Sequence, residues 1–229
     1  MAKYDLLLCD ADMTLMDFHH SENVAFAAAA RAFGFSDDQE TYAVYKKSNS
    51  ERWLAFERGE ITIPQLRIRR FEGFLKGLGR EDVDPAAAAA CYEGVLCRQS
   101  WTMPGAAEGV ARWKQRAHVM ILTNGIAVVQ HGRVSGSPFP ELEEDMVISE
   151  EVGVSKPDPR IVEIAMEKAG VTEKSRVLLL GDSLTSDMKA AENAGVDSCW
   201  YNPKGAENTT GVRVTYEIRD LSEVDGLLS

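Results

Sequence analysis

Leu6-Leu7-Leu8-Cys9-Asp10-Ala11-Asp12-Met13-Thr14-Leu15 is the stretch that decides the fold. Four apolar residues run without alternation straight into a carboxylate. A strand with one wet face alternates apolar and polar residues, whereas a strand covered on both faces reads as an unbroken apolar run. The same pattern recurs at Val119-Met120-Ile121-Leu122, followed by Thr123-Asn124-Gly125, and at Val177-Leu178-Leu179-Leu180, followed by Gly181-Asp182-Ser183. Ser198-Cys199-Trp200-Tyr201 is a fourth such run, and residues 146–148 are a weaker fifth.

Between these runs lie helical stretches. Residues 106–116 and 160–169 carry apolar side chains at three- and four-residue spacing, and Asp158-Pro159 offers the second of them a cap and a first-turn proline. Residues 187–194 read as a short helix closed by Gly195. Strands alternating with helices predict an α/β fold, a Rossmann-like parallel sheet. Residues 21–100 differ: helices are expected over 23–33, 40–58, 64–78 and 85–98, with no convincing strand among them. The chain therefore divides into an α/β core, residues 1–16 and 101–229, and an inserted α-helical domain, residues 17–100.

Each main apolar run ends in a residue suited to holding a cation or a phosphate. In open parallel sheets the ligand crevice lies beyond the carboxyl ends of the strands, so Asp10, Asp12, Thr123, Asn124, Asp182 and Asp187 are expected to converge. Lys156, in the loop Gly153-Val154-Ser155-Lys156-Pro157, is the natural cation for the same place. Carboxylates crowded together repel unless a cation offsets them. Oxygen donors without clustered His or Cys favour Mg²⁺ over zinc. A carboxylate there can attack phosphorus, and a second one two residues away can protonate the leaving alcohol and then activate water. Thr123, Asn124 and Lys156 are candidates to bind the phosphate group.

Taken together, these motifs resemble those of the haloacid dehalogenase superfamily. Asp10-Ala11-Asp12-Met13-Thr14 looks like its first motif and Leu122-Thr123-Asn124-Gly125 its second. Lys156-Pro157-Asp158 looks like the third, and Gly181-Asp182-Ser183-Leu184-Thr185-Ser186-Asp187 like the acidic fourth. The resemblance implies a nucleophile and metal ligand in Asp10, and a general acid and base in Asp12, which also meets the metal through its backbone carbonyl. It implies a phosphoryl clamp in Thr123 and Lys156, a metal ligand in Asp182, and support for the metal shell from Asp187. Asp12, which the dehalogenases of the superfamily generally lack, implies phosphate chemistry. A finer likeness, through Asp17-Phe18, Asn193-Ala194-Gly195 and Cys199-Trp200-Tyr201-Asn202-Pro203, is to the pyrimidine 5′-nucleotidase subfamily with a helical cap of the first type. Met13 departs from it, standing where that subfamily often carries an acidic residue. The implied reaction is Mg²⁺-dependent hydrolysis of a nucleoside 5′-monophosphate through an aspartyl-phosphate. The alternatives are a phosphatase for phosphoglycolate or a sugar phosphate, a phosphosugar mutase on the same scaffold, and a non-enzymatic binding module.

With 25 basic and 36 acidic residues in 229, the net charge of −11 repels nucleic-acid backbone and anionic membrane. The expected partner is a small phosphorylated metabolite, handled by a monomer or homodimer. Cys9, Cys91, Cys97 and Cys199 form no CxxC pair and are read as buried, reduced thiols of a cytoplasmic protein. Arg52, Trp53, Arg67 and Arg70 are read as a solvated helix face around a buried aromatic, with substrate contact as the alternative. Gln130 and Arg133, which follow the Asn124-Gly125 turn, are read as structural, with a place near the cleft as the alternative, and His19 and His20 as a hinge or linker, with catalysis as the alternative.

Overall fold

Alternating side chains on each strand build two apolar layers, one on either face of a sheet. The computed structural model describes residues 3–229, and in it the strands are β1 (Leu6–Cys9), β2 (His118–Thr123), β3 (Val147–Ile148), β4 (Val177–Gly181), β5 (Asp197–Tyr201) and β6 (Tyr216–Ile218). The helices are α1 (Phe18–Phe33), α2 (Gln39–Glu57), α3 (Ile63–Gly77), α4 (Pro85–Leu96), α5 (Ala106–Trp113), α6 (Ala127–Ser135), α7 (Ser149–Val152), α8 (Pro159–Ala169), α9 (Lys189–Ala194) and α10 (Val224–Leu227). The sheet order is β3-β2-β1-β4-β5-β6, and every neighbouring pair is parallel. Leu7, Cys9, Ile121, Leu178 and Leu180 pack with Val110 and Trp113 of α5 on one face. Leu6, Leu8, Met120, Leu122 and Leu179 pack with Ile161 and Ala165 of α8 and Ala190 and Ala191 of α9 on the other. Both faces are covered, which is why the strand sequences show no alternation.

The order places β1 in the interior of the sheet, where the connections run outward in both directions. That is the point at which an open sheet leaves a crevice beyond its strand ends. Asp10, Thr123 and Asp182 each stand at or just after the carboxyl end of β1, β2 and β4. β6 has no counterpart in the sequence reading, because three residues are too few to show a period. Cys9 and Cys199 are buried as expected, whereas Cys91 and Cys97 are only half-buried; all four are free thiols. Among the described residues no helix is long and apolar enough to cross a membrane.

The chain falls into two compact units, one running up to Phe18 and again over Ser100–Ser229, the other over His19–Gln99. The second is helical. Asp38 accepts from the Thr41 N–H at the start of α2, Thr62 and Gln65 form a capping box at α3, and Asp84 with Pro85 opens α4. Its interior is aromatic: Phe26, Tyr45, Phe71, Phe74 and Tyr92 meet one another at 5.2–6.2 Å between ring centres. His19 and His20 lie in the first turn of α1, where the second unit begins.

Arg70 is the clearest departure from the solvated-face reading. It is 2% exposed, and its guanidinium donates to Glu93 at 2.7 Å, while Arg67 donates to the same carboxylate at 2.8 Å. The pair joins α3 to α4. Trp53 packs with Phe56 against Ala55, Ile61 and Leu66. Removing one member of a buried ion pair strands the other charge, at a cost of about 3–5 kcal/mol. Glu93→Ala is therefore expected to lower stability by about 3 kcal/mol, read as a fall in the denaturant midpoint, whereas Glu60→Ala, whose pair with Arg58 is exposed, should change little.

Candidate active site

Lys156 lies between α7 and α8, and its side chain is 1% exposed. Its ammonium donates to Asp10 Oδ1 at 2.6 Å, to Asp187 Oδ1 at 2.7 Å and to the Leu122 carbonyl at 2.7 Å. All three donor protons are thus used, and the ends of β1, β2 and the segment after β4 are tied to one point. Asn124 secures the loop that carries Lys156. Its amide donates to the Lys156 carbonyl at 2.8 Å and accepts from the Lys156 N–H at 2.8 Å. These bonds place Asn124, a candidate for phosphate contact, against the Lys156 backbone.

Gly181 closes β4 against Asp187: a Cβ there would stand 2.4 Å from the Asp187 carboxyl carbon. That close approach lets Asp187 accept from the Ser183 N–H at 3.0 Å while it holds Lys156. Asp182 is half-buried beside them, and the indole N–H of Trp200 donates to its carbonyl at 2.9 Å. Oxygens of Asp10, Asp182 and Asp187 all lie within 4.8 Å of one another. Three carboxylates against one ammonium leave an excess of negative charge, and the donors are all hard oxygens. That set fits a Mg²⁺-like ion.

The same crowding shows in the acidities. Burial pushes the Asp10 carboxyl well above the usual carboxylate range; Lys156 opposes this, and Asp187, Asp182 and Asp12 add to it. Asp182 is pushed up to about 7, first by burial and then by Asp187. Burial also works against the Lys156 charge, but Asp10 and Asp187 outweigh it and hold the ammonium above its ordinary range.

Asp12 stands apart from this cluster. The loop from Ala11 to Met16 is drawn tight by N–H groups of Leu15 and Met16 on the Ala11 carbonyl, with Met13 at φ +66°. A left-handed conformation at a residue with a Cβ costs about 1–2 kcal/mol, and such strain collects at functional sites. The Asp12 carboxylate turns toward α6, where Arg133 donates to Oδ1 and Gln130 to Oδ2 at 2.7 Å. Thr123 is buried, and its hydroxyl oxygen accepts from the Gly125 N–H at 3.0 Å, which leaves its own proton to donate. Of the two readings of Gln130 and Arg133, their bonds to Asp12 favour the one that places them near the cleft. Their three-residue spacing on α6, which puts both on one face, was the signal available.

Residues 4–195 match the haloacid dehalogenase-like hydrolase family. The chain belongs to the haloacid dehalogenase-like hydrolases. Among curated members, the pyrimidine 5′-nucleotidase YjjG of Escherichia coli is 31% identical over 99% of this chain and 98% of its own length. The pyrimidine 5′-nucleotidase PynA of Streptococcus pneumoniae is 33% identical over 96% of this chain and 93% of its own. A crystal structure of the HAD-hydrolase YfnB of Bacillus subtilis, bound to magnesium, superposes with a TM-score of 0.91 at 31% identity and covers 99% of both chains. The likeness to these hydrolases spans the helical unit as well as the sheet.

The raised carboxyls carry a sign for stability. A carboxylate whose native pKa lies above its unfolded value binds protons in the native state that unfolding releases, so its contribution falls as pH rises through that interval. For Asp182 the interval runs from 3.8 to about 7. In EDTA, Asp182→Asn should gain stability relative to wild type between about pH 5 and about pH 8. Thermal melts of the two proteins at both pH values check this, and a flat difference counts against the crowding.

Proposed function

We propose that this hydrolase is a Mg²⁺-dependent phosphomonoesterase that works through an aspartyl-phosphate on Asp10, with nucleoside 5′-monophosphates as substrates and pyrimidines ahead of purines. The observation that carries the reading is the placement of Asp10. One oxygen of this buried carboxylate is held by Lys156 at 2.6 Å, beside two further carboxylates. Such a cluster holds more negative charge than Lys156 offsets, which a divalent ion would balance, so that ion and lysine together would let the nucleophile meet a phosphate dianion. Full-length identity of 31% and 33% to two pyrimidine 5′-nucleotidases supports the substrate class.

Asp10 and Asp182 would hold the ion through their carboxylates and Asp12 through its backbone carbonyl, with Asp187 in support. When bound, Mg²⁺ supplies neutralisation of phosphoryl charge. The protein's own groups do the rest. An Asp10 oxygen attacks phosphorus as the bond to the ester oxygen breaks, and Asp12 gives that oxygen its proton. Water then attacks phosphorus, Asp12 takes the proton back, and inorganic phosphate leaves Asp10. Thr123 and Lys156 hold the phosphoryl oxygens, Lys156 by exchanging its bond to Asp10 for one of them, and Lys156 also offsets the charge on the Asp10 side. Asn124 acts on phosphate through the loop it fixes.

A panel of mononucleotides, sugar phosphates and phosphoglycolate, assayed with Mg²⁺ and again with EDTA, tests the substrate. Pyrimidine monophosphates should lead, and EDTA should abolish turnover. Release of phosphate without an isomerised sugar excludes a mutase. Asp10→Asn should stay folded and lose at least about 10⁴-fold in kcat, because an amide is a poor nucleophile; near-normal turnover in that variant would refute the covalent route. Asn124→Ala should lose about 10–100-fold, the scale expected when a catalytic group shifts by about 1 Å.

A further inference from the structure

Two carboxylates two residues apart have been given different partners, and among the described residues the Asp12 carboxylate takes its hydrogen bonds from α6. Arg133 is 0% exposed and Gln130 1%. A fully buried guanidinium needs a counter-charge, and Arg133 donates to Asp12 Oδ1 while its face lies 5.5 Å from the Phe18 ring centre. Gln130 reaches Asp12 by lying across the backbone at Gly125, where a Cβ would stand 2.1 Å from Nε2. Its own Oε1 is buried with no hydrogen-bond partner among the described residues. An unsatisfied buried acceptor costs about 1–3 kcal/mol. A residue present only for packing would not need to carry that cost; a leucine would fill the space. The amide is there for the bond its nitrogen makes.

We propose that Gln130 and Arg133 are positioning residues for Asp12: one donor on each oxygen fixes the direction in which its carboxyl faces the ester oxygen and then water. The inference rests on the phosphatase reading. It adds that the general acid and base is aimed by α6, separately from the Lys156 cluster that serves the nucleophile.

The test compares kcat/KM for p-nitrophenyl phosphate and phenyl phosphate. This parameter reports events up to departure of the leaving group. Nitrophenolate leaves with little help from an acid, whereas phenolate needs a proton. Asp12→Asn sets the full effect. Gln130→Leu and Arg133→Met should lower kcat/KM for phenyl phosphate by at least about 10-fold more than for p-nitrophenyl phosphate. Placed in the Asp12→Asn background, neither should change that ratio further, since the groups act as one unit. An equal loss on both esters, or the same additional loss of ratio in the Asp12→Asn background, overturns the proposal and leaves the pair as a structural tie. If Arg133→Met does not fold by circular dichroism, Arg133→Lys, which keeps the charge and loses the planar fork, carries the same comparison. Wild-type enzyme that turns over neither ester nor any mononucleotide would defeat the phosphatase reading itself, an outcome distinct from failure of the ratio.

Discussion

The ammonium of Lys156 is the point on which the site depends. It is buried, it spends every proton on Asp10, Asp187 and the Leu122 carbonyl, and it thereby ties the ends of β1 and β2 to the turn after β4. A lone buried charge is costly, and a buried pair holds only when its geometry and remaining hydrogen bonds are good. The surrounding residues supply that geometry. Asn124 clamps the backbone on both sides of Lys156's own peptide, and Gly181 leaves room for the Asp187 carboxyl. The sheet does not need these charges for its packing, since both of its faces are filled by apolar side chains.

The cluster is also unbalanced. Asp10, Asp182 and Asp187 together exceed what one ammonium neutralises, and burial first, with the neighbouring carboxylates adding to it, raises the Asp10 and Asp182 carboxyls. A protein selected for stability alone would not keep such an arrangement, but one that binds a divalent ion needs it. The local positive charge of ion and lysine is what lets a chain of net charge −11 receive an anionic substrate in the proposed reaction. The Asp12 carboxylate takes its hydrogen bonds from α6, where a guanidinium and an amide stand in place of the ammonium. Environment thus separates two neighbouring carboxylates into different chemical settings.

Much of the fold was legible because it rests on local pattern. Unbroken apolar runs identified β1, β2, β4 and β5, and Asp158-Pro159 and Gly195 marked helix ends within a residue or two. β6 was not legible, as Tyr216–Ile218 is shorter than one recognisable repeat and gains its partners from β5. Arg70 looked solvated since its neighbours Arg67 and Arg69 are charged; only the packing of α3 on α4 brings Glu93 to it.

Taken by itself, the sequence determined the order of strands and helices and the set of residues gathered at the strand ends, because backbone periodicity and strand direction are properties of neighbouring residues. The tertiary structure alone decided what each of those side chains touches. Asn124 holds the Lys156 backbone, Gln130 and Arg133 reach Asp12, and Asp187 shares Lys156 with Asp10. Those outcomes depend on how helices rotate about their axes and on charges that must find partners more than a hundred residues away, as Asp10 does in Lys156 and Asp12 in Arg133.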